Sequence, residues 1–260
     1  TIGSHGSLTV EQALMNSCNP YMIHLALEMG NSRFAYYQSL FGFGKITGID
    51  LPGETTGIVY GDRMTTIDAA CNSFGQTINV NMMQMMAAYC SIINGGMLYQ
   101  PHIVKRIESA NGEVVKEYKA NLVRQTITAS TSKLLRRYLK NTVEEGTAKK
   151  AGVTGYSVAG KTGTAQKGDR KDNKWIISFI GHAPAENPKF AIYVVIDEPY
   201  GTTGTSGSSA DVLTLTHNIL EKLLPYMNVY KDASDEYEDT SSSPDELTVD
   251  GIPAGTASSN

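Results

Sequence analysis

At 260 residues, 41% hydrophobic and 18% charged, the chain is long enough to bury a substantial core and reads as globular. Its net charge of -4 leaves no basic stripe of the kind a nucleic-acid partner requires, and no run approaches the ~18 apolar residues of a membrane span. Three cysteines, Cys18, Cys71 and Cys90, are odd in number and lack metal-ligand spacing, so they read as small buried hydrophobes and not as a disulfide framework.

In chain order, "SLTVEQALMNS" offers Ser7 or Thr9 as a helix N-cap, Glu11 or Gln12 to reciprocate, and Val10, Ala13 and Leu14 at helical spacing. After Cys18-Asn19-Pro20 the pattern resumes through Met22, Leu25, Ala26 and Met29 and stops at Gly30, which suits the position just past a helix. Ser17, Cys18 and Asn19 therefore fall at a junction between two helices. The Gly- and Pro-bearing loop "FGFGKITGIDLPGE" (41–54) precedes a helical run, "NMMQMMAAYCSIINGG", whose Met82, Met83, Met85 and Met86 are expected in the core. "IVKRIESANGEVVKEYK" alternates around Asn111-Gly112, a strong hairpin signal. Residues 130–145 predict an amphipathic helix with Leu134, Leu135, Tyr138 and Leu139 on one face and Lys133, Arg136, Arg137 and Lys140 on a solvated one.

Three strand-like runs follow, "YSVAGKTGTAQ", "KWIISFIGHAPA" and "KFAIYVVIDEP", joined by connections short enough for antiparallel neighbours. Residues 208–224 read as a helix covering that sheet. The expected fold class is mixed α/β (α+β), an antiparallel sheet flanked by helices. From Lys231 on, acidic residues, serines and glycines with few large apolar side chains indicate a disordered tail, and the domain boundary is set at 228/229. The five histidines, His5, His24, His102, His182 and His217, show no metal-ligand spacing, and core satisfaction is the expected role of His182; neither a metal nor a cofactor is implied.

Within the first of those strands, "AGKTGTAQ" (159–166) puts a cation, Lys161, between Gly160 and Thr162-Gly163-Thr164. An exposed edge lysine would account for the charge, but glycines inside a strand mark places where a ligand or another backbone comes close. Together with "SCN" at 17–19, in this order and separation, "KTGT" resembles two of the three motifs of penicillin-binding proteins and class A β-lactamases. The stretches "GSHGSLTVEQALMNSCNP", "FGFGKITGIDLPGE", "SFGQTINVNMMQMMAAYCSIINGG", "VEEGTAKKAG", "VAGKTGTAQ" and "SFIGHAPAENPKFAIYVVIDEP", running from about residue 3 to about residue 226, are similar to the class B penicillin-binding proteins of Gram-positive bacteria.

That resemblance implies the C-terminal part of a D,D-transpeptidase domain with a penicillin-binding protein/β-lactamase-like fold. Its catalytic residues here would be Ser17, Asn19, Lys161 and Thr164, with Thr162, Gly163 and Thr164 binding substrate. Ser17 would relay a proton to the leaving group, Asn19 would bind the substrate backbone, and the backbone N–H of Thr164 would be one oxyanion donor. Gly163 would let the substrate strand approach. "SFGQT" (73–77) resembles a rim loop of the cleft. The implied partners are peptidoglycan stem peptides ending in D-Ala-D-Ala, β-lactams, and a SEDS-type glycosyltransferase reached through a membrane region. The implied place is the extracytoplasmic face of the membrane, on an N-terminal anchor absent from this chain.

The third motif, Ser-x-x-Lys, should precede Ser17 and does not, so the nucleophile, the first strands of the sheet and the anchor are expected upstream of Thr1. The one literal match, Ser130-Thr131-Ser132-Lys133, lies on the amphipathic helix and reads as a decoy. Two alternatives stay open at this point. A β-lactamase needs a carboxylate for deacylating water, and the nearest match, Glu117 with Asn121, has Ala120 where leucine belongs. A non-catalytic penicillin-recognising sensor or scaffold would lack the nucleophile altogether.

Overall fold

The computed structural model describes residues 5–169, 171, 174–199 and 208–233. Its regular structure up to Ile93 is helical. Helix α1 (Val10–Met15) is capped by Thr9, with Gln12 returning the bond in a reciprocal box, and α2 (Asn19–Met29) has a proline in its first turn and ends at Gly30, as the sequence predicts. Helix α3 (Asn31–Leu40) follows directly and was not foreseen: it buries only Ala35 and so shows no apolar stripe. Helix α4 (Thr66–Ser73) also escaped the apolar pattern, although Thr65 and Asp68 form a capping box that announces it.

Helix α5 (Met82–Ile93) starts at the Asn81–Gln84 capping box. Here the expected methionine core is corrected. Met82 is 51% exposed and Met83, Met85 and Met86 are half-buried, while Gln84 is 1% exposed. The Gln84 amide donates to the carbonyls of Lys45 at 2.6 Å and Thr56 at 2.9 Å, so this helix face stitches down the 41–60 loop instead of filling a core. Strands β1 (Met97–Gln100) and β4 (Asn121–Gln125) pair with each other and enclose the hairpin of β2 (Arg106–Glu108) and β3 (Val114–Glu117), which turns at the predicted Asn111-Gly112.

Helix α6 (Ala129–Glu144) is rotated from its expected orientation: Ser132, Leu139, Thr142 and Val143 are buried, and Leu134 is exposed. Arg136, assigned to the solvated face, is half-buried and donates to Ile93 O at 2.9 Å. The decoy is dismantled by the same rotation. Ser132 is buried and bonded to Ile92 O and Gly95 N, while Ser130 and Lys133 are exposed.

Strands β5 (Ala159–Lys167), β6 (Lys174–Ala183) and β7 (Phe190–Asp197) form one antiparallel sheet in that order, so the strand carrying Lys161 is an edge. Phe179, Ile177, Val143, Val212, Leu220 and Leu224 make the main core between this sheet, α6 and helix α7 (Ala210–Tyr226). Gly160 and Gly181 sit opposite each other, and a Cβ on either would collide with the Phe179 ring and the neighbouring strand's carbonyls. Glycine there makes room for the ring that anchors the sheet. The core continues past α7: Val229 is buried, and Asp232 accepts from the backbone N–H (2.7 Å) and hydroxyl of Ser157. Residues 229–233 of the expected tail thus pack on the domain, and 234–260 lie outside the described residues.

Candidate active site

A cleft of about 870 Å³ runs between the edge strand β5 and the α1–α2 junction. Ser17, Asn19, Lys161, Thr162, Gly163 and Thr164, all six residues singled out in the sequence, line it. Ser17 occupies a strained link: between α1, capped at Thr9, and α2, whose N-terminus has no side-chain cap, its backbone adopts φ 50°, a left-handed conformation that costs a non-glycine residue about 1 kcal/mol or more. Cys18 beside it is buried and holds the junction down. The Lys161 Nζ donates to Ser17 Oγ, to Thr162 O at 3.2 Å and to Thr162 Oγ1 at 3.4 Å. Three ammonium protons therefore have three acceptors.

Burial lowers the Lys161 pKa from its usual 10.5 to about 8. At neutral pH the amine is still roughly nine-tenths protonated, yet within reach of deprotonation. It is the one cation lining the cleft among the described residues, and Asp169 the one acid. A half-desolvated ammonium flanked by hydroxyls attracts a carboxylate and can pass protons. Asn19 lines the same cleft without a hydrogen bond to Lys161. At Gly163 a Cβ would lie 2.6 Å from Ser178 Oγ on the adjoining strand. A side chain at this position would first have to turn that hydroxyl aside, whereas at Gly160 and Gly181 it would meet backbone and the Phe179 ring.

The segment 73–77 forms part of the wall through Ser73, Phe74, Gln76 and Thr77. It is shaped by Asn72, which is buried, takes a hydrogen bond from Gln38 Nε2 at 3.0 Å and donates to Gln76 O (3.0 Å) and Thr77 Oγ1 (2.9 Å). Sequence reading passed over Asn72, and also over Thr147, whose hydroxyl stands 3.3 Å from Ser17 Oγ. Thr147 lies in the "VEEGTAKKAG" stretch, a signal noted only for its resemblance.

His182, on β6, is fully buried and bonded, as anticipated. Its Nε2 faces Ala185 O at 3.1 Å, which can only accept, so Nε2 carries the proton and Nδ1 accepts from Tyr89 Oη at 2.8 Å. Burial holds its pKa near 4. Along the sheet His182 pairs with Ala159, two residues before Lys161.

The family model for the penicillin binding protein transpeptidase domain matches residues 2–221. The chain belongs to the penicillin-binding protein transpeptidase family. It is 40% identical over 232 residues to stage V sporulation protein D of Bacillus subtilis, covering 87% of this chain and 36% of that protein. It is 32% identical over 238 residues to the peptidoglycan D,D-transpeptidase FtsI of Escherichia coli, covering 89% and 38%. Among solved structures, penicillin binding protein 3 of Mycobacterium tuberculosis, complexed with ampicillin, superimposes with a TM-score of 0.80 at 30% identity, over 90% of this chain and 55% of that one. This transpeptidase-family chain thus spans little more than a third of the length of the curated relatives it matches. Higher identity to the Bacillus protein agrees with the expected Gram-positive, class B origin.

Proposed function

We propose that this chain is the C-terminal part of a serine D,D-transpeptidase that cross-links peptidoglycan stem peptides and is acylated by β-lactams. One observation carries the reading: Lys161 and Ser17, 144 residues apart, bond to each other inside a cleft that Thr162, Gly163 and Thr164 also line. A serine supplied by the segment preceding this chain attacks the D-Ala-D-Ala carbonyl; its proton passes by way of the lysine and hydroxyl groups to the leaving D-alanine nitrogen, and the resulting acyl-enzyme is taken up by an acceptor amine. Lys161 attracts the terminal carboxylate, Ser17 is the last hydroxyl before the leaving nitrogen, Asn19 holds the donor backbone, and the Thr164 N–H supports the oxyanion, a contribution of about 3–4 kcal/mol where such donors have been removed. In this reading the protein works outside the cytoplasmic membrane, anchored by its N-terminal region, beside a SEDS-type glycosyltransferase that supplies the glycan strand.

The hydrolase reading gains nothing from the structure. Glu117 and Asn121 sit on β3 and β4, and neither is among the residues lining the cleft. Mass spectrometry after incubation with labelled penicillin tests the proposal. The isolated chain is expected to carry no adduct, and the chain extended by its upstream segment is expected to gain one on an upstream serine. An adduct on any serine of residues 1–260, or rapid turnover of penicillin by the extended protein, overturns it.

A further inference from the structure

The cleft contains a hydroxyl with no assigned part. Thr147 Oγ1 lies 3.3 Å from Ser17 Oγ and 3.4 Å from Thr162 Oγ1, and both of those oxygens accept from Lys161 Nζ. Lys161, Ser17, Thr147 and Thr162 thus close a ring drawn from β5, the α1–α2 junction and the turn after α6. Because the ammonium occupies the acceptor side of Ser17 and Thr162, the protons of these two hydroxyls are left to point away from it. Thr147 Oγ1, with two lone pairs, is the acceptor in reach of both.

Thr147 is also held firmly. Its backbone N–H donates to Met15 O at 3.2 Å at the end of α1, and the next residue, Ala148, is fully buried with its N–H on Thr142 O at 3.0 Å. The residue before it is Gly146, where a Cβ would stand 2.8 Å from Met15 O and 2.9 Å from Thr142 O, so the turn meets α1 as closely as backbones allow. Thr142, at the same end of α6, bonds Gly160 O on β5. One helix terminus therefore registers both the hydroxyl and the strand that carries the lysine.

We infer that Thr147 is a positioning residue of the proton path, accepting the Ser17 proton so that the Ser17 lone pair stays on Lys161 until the leaving nitrogen arrives; this rests on the transpeptidase reading above. During turnover Ser17 then releases its proton to that nitrogen and takes one from Lys161, and the lysine recovers the proton that the attacking serine gave up, so hydroxyl and ammonium are both restored. No group is oxidised or reduced. Cooperative polarisation runs the same way, since a hydroxyl that donates is a better acceptor for the ammonium.

The test uses the extended protein, with Thr147→Val as a near-isosteric variant and Thr147→Ser as the conservative one. Thr147→Val is expected to slow penicillin acylation by about three- to tenfold, the range of one hydrogen bond, with pre-covalent affinity little changed, and Thr147→Ser is expected to restore the rate. Combining Thr147→Val with Ser17→Ala is expected to slow the reaction no further than Ser17→Ala alone. Equal rates for wild type and Thr147→Val, a full additive loss in the double variant, or a serine variant as slow as valine would each overturn the inference. Should wild type take no label, the transpeptidase reading fails, and the inference is decided on this chain alone by following the Lys161 side-chain resonances through a pH titration. Lys161 is met there by Ser17 and Asn19 from the α1–α2 junction, Thr147 from the turn after α6 and Thr162 from its own strand, with Asp169 beyond the end of β5. Thr147→Val is expected to lower the lysine's midpoint and Thr147→Ser to return it; an unmoved midpoint overturns the inference.

Discussion

The two walls of the cleft are built on opposite principles. On one side Lys161, Thr162 and Thr164 ride a nine-residue strand backed by β6, β7 and the main core of Phe179, Ile177, Leu220 and Leu224. On the other, Ser17 links the six-residue α1 to α2, whose first residue is Asn19; α2 packs on α3 and α4, which carry a small cluster of Ala35, Met64 and Ala69 with Phe34 and Tyr60, and the 73–77 rim depends on the polar contacts of Asn72. A helix of six residues has no stability of its own and is held by its cap and its neighbours. The strand wall presents charge in a fixed place, and the junction wall presents a hydroxyl whose position depends on the cap of α1, a strained φ and the contact with Thr147.

The largest effect expected from breaking this contrast comes from the strand wall. Phe179→Ala is expected to cost about 3–5 kcal/mol, because the ring fills the gap left by Gly160 and Gly181. The comparable truncation on the junction side, Met64→Ala, is expected to fall at the low end of the 2–5 kcal/mol range for such changes. Urea unfolding of both variants measures the difference, and an equal loss would erase the distinction between the walls.

Next in size is the lysine. Its native pKa of about 8 lies below the usual 10.5, so the unfolded chain holds more protons between those values and stability rises with pH across that window. The penalty for burying this group is full below pH 8, shrinks as the pH rises and is gone above 10.5. Lys161→Met is therefore expected to be more stable than wild type at pH 7, by something on the order of 3 kcal/mol, with the gap closing towards pH 10.5. Denaturant midpoints at pH 7, 9 and 10.5 read it directly. A constant gap would mean that burial does not set the lysine's affinity for protons.

The smallest effect concerns the end of the described chain. Asp232→Ala removes two hydrogen bonds from Ser157, whose hydroxyl in turn accepts from Ala185 N–H at 3.0 Å, and is expected to cost about 1 kcal/mol. Ending the chain after Met227 is expected to cost more, because Val229 leaves the core, whereas ending it after Ala233 is expected to change the melting temperature little. A truncation after Met227 that melts like wild type would detach this segment from the support of the strand wall.

Local chemistry was legible where a residue's own neighbours decide its state. The caps at Thr9, the stop at Gly30, the turn at Asn111-Gly112 and the three strands after residue 155 are short-range events, and the sequence alone locates them. The two motif segments at 17–19 and 161–164 could likewise be named from residue order. Burial could not. Met82 carries the apolar side chain and is exposed while Gln84 is enclosed, because the loop at 41–60 has carbonyls that need a donor, and only the folded chain brings them to α5. Helix α6 turned Ser132 and Thr142 inward for the same reason, to satisfy Ile92 O, Gly95 N and Gly160 O. Thr147 became visible only when the turn after α6 met α1, since nothing in a lone threonine announces two hydroxyls contributed from 130 residues before it and 15 after. Residue order determined which groups were available for the site. Tertiary packing decided which of them stand within hydrogen-bonding distance, because a contact between distant segments exists only after the backbone's buried donors and acceptors have been paired.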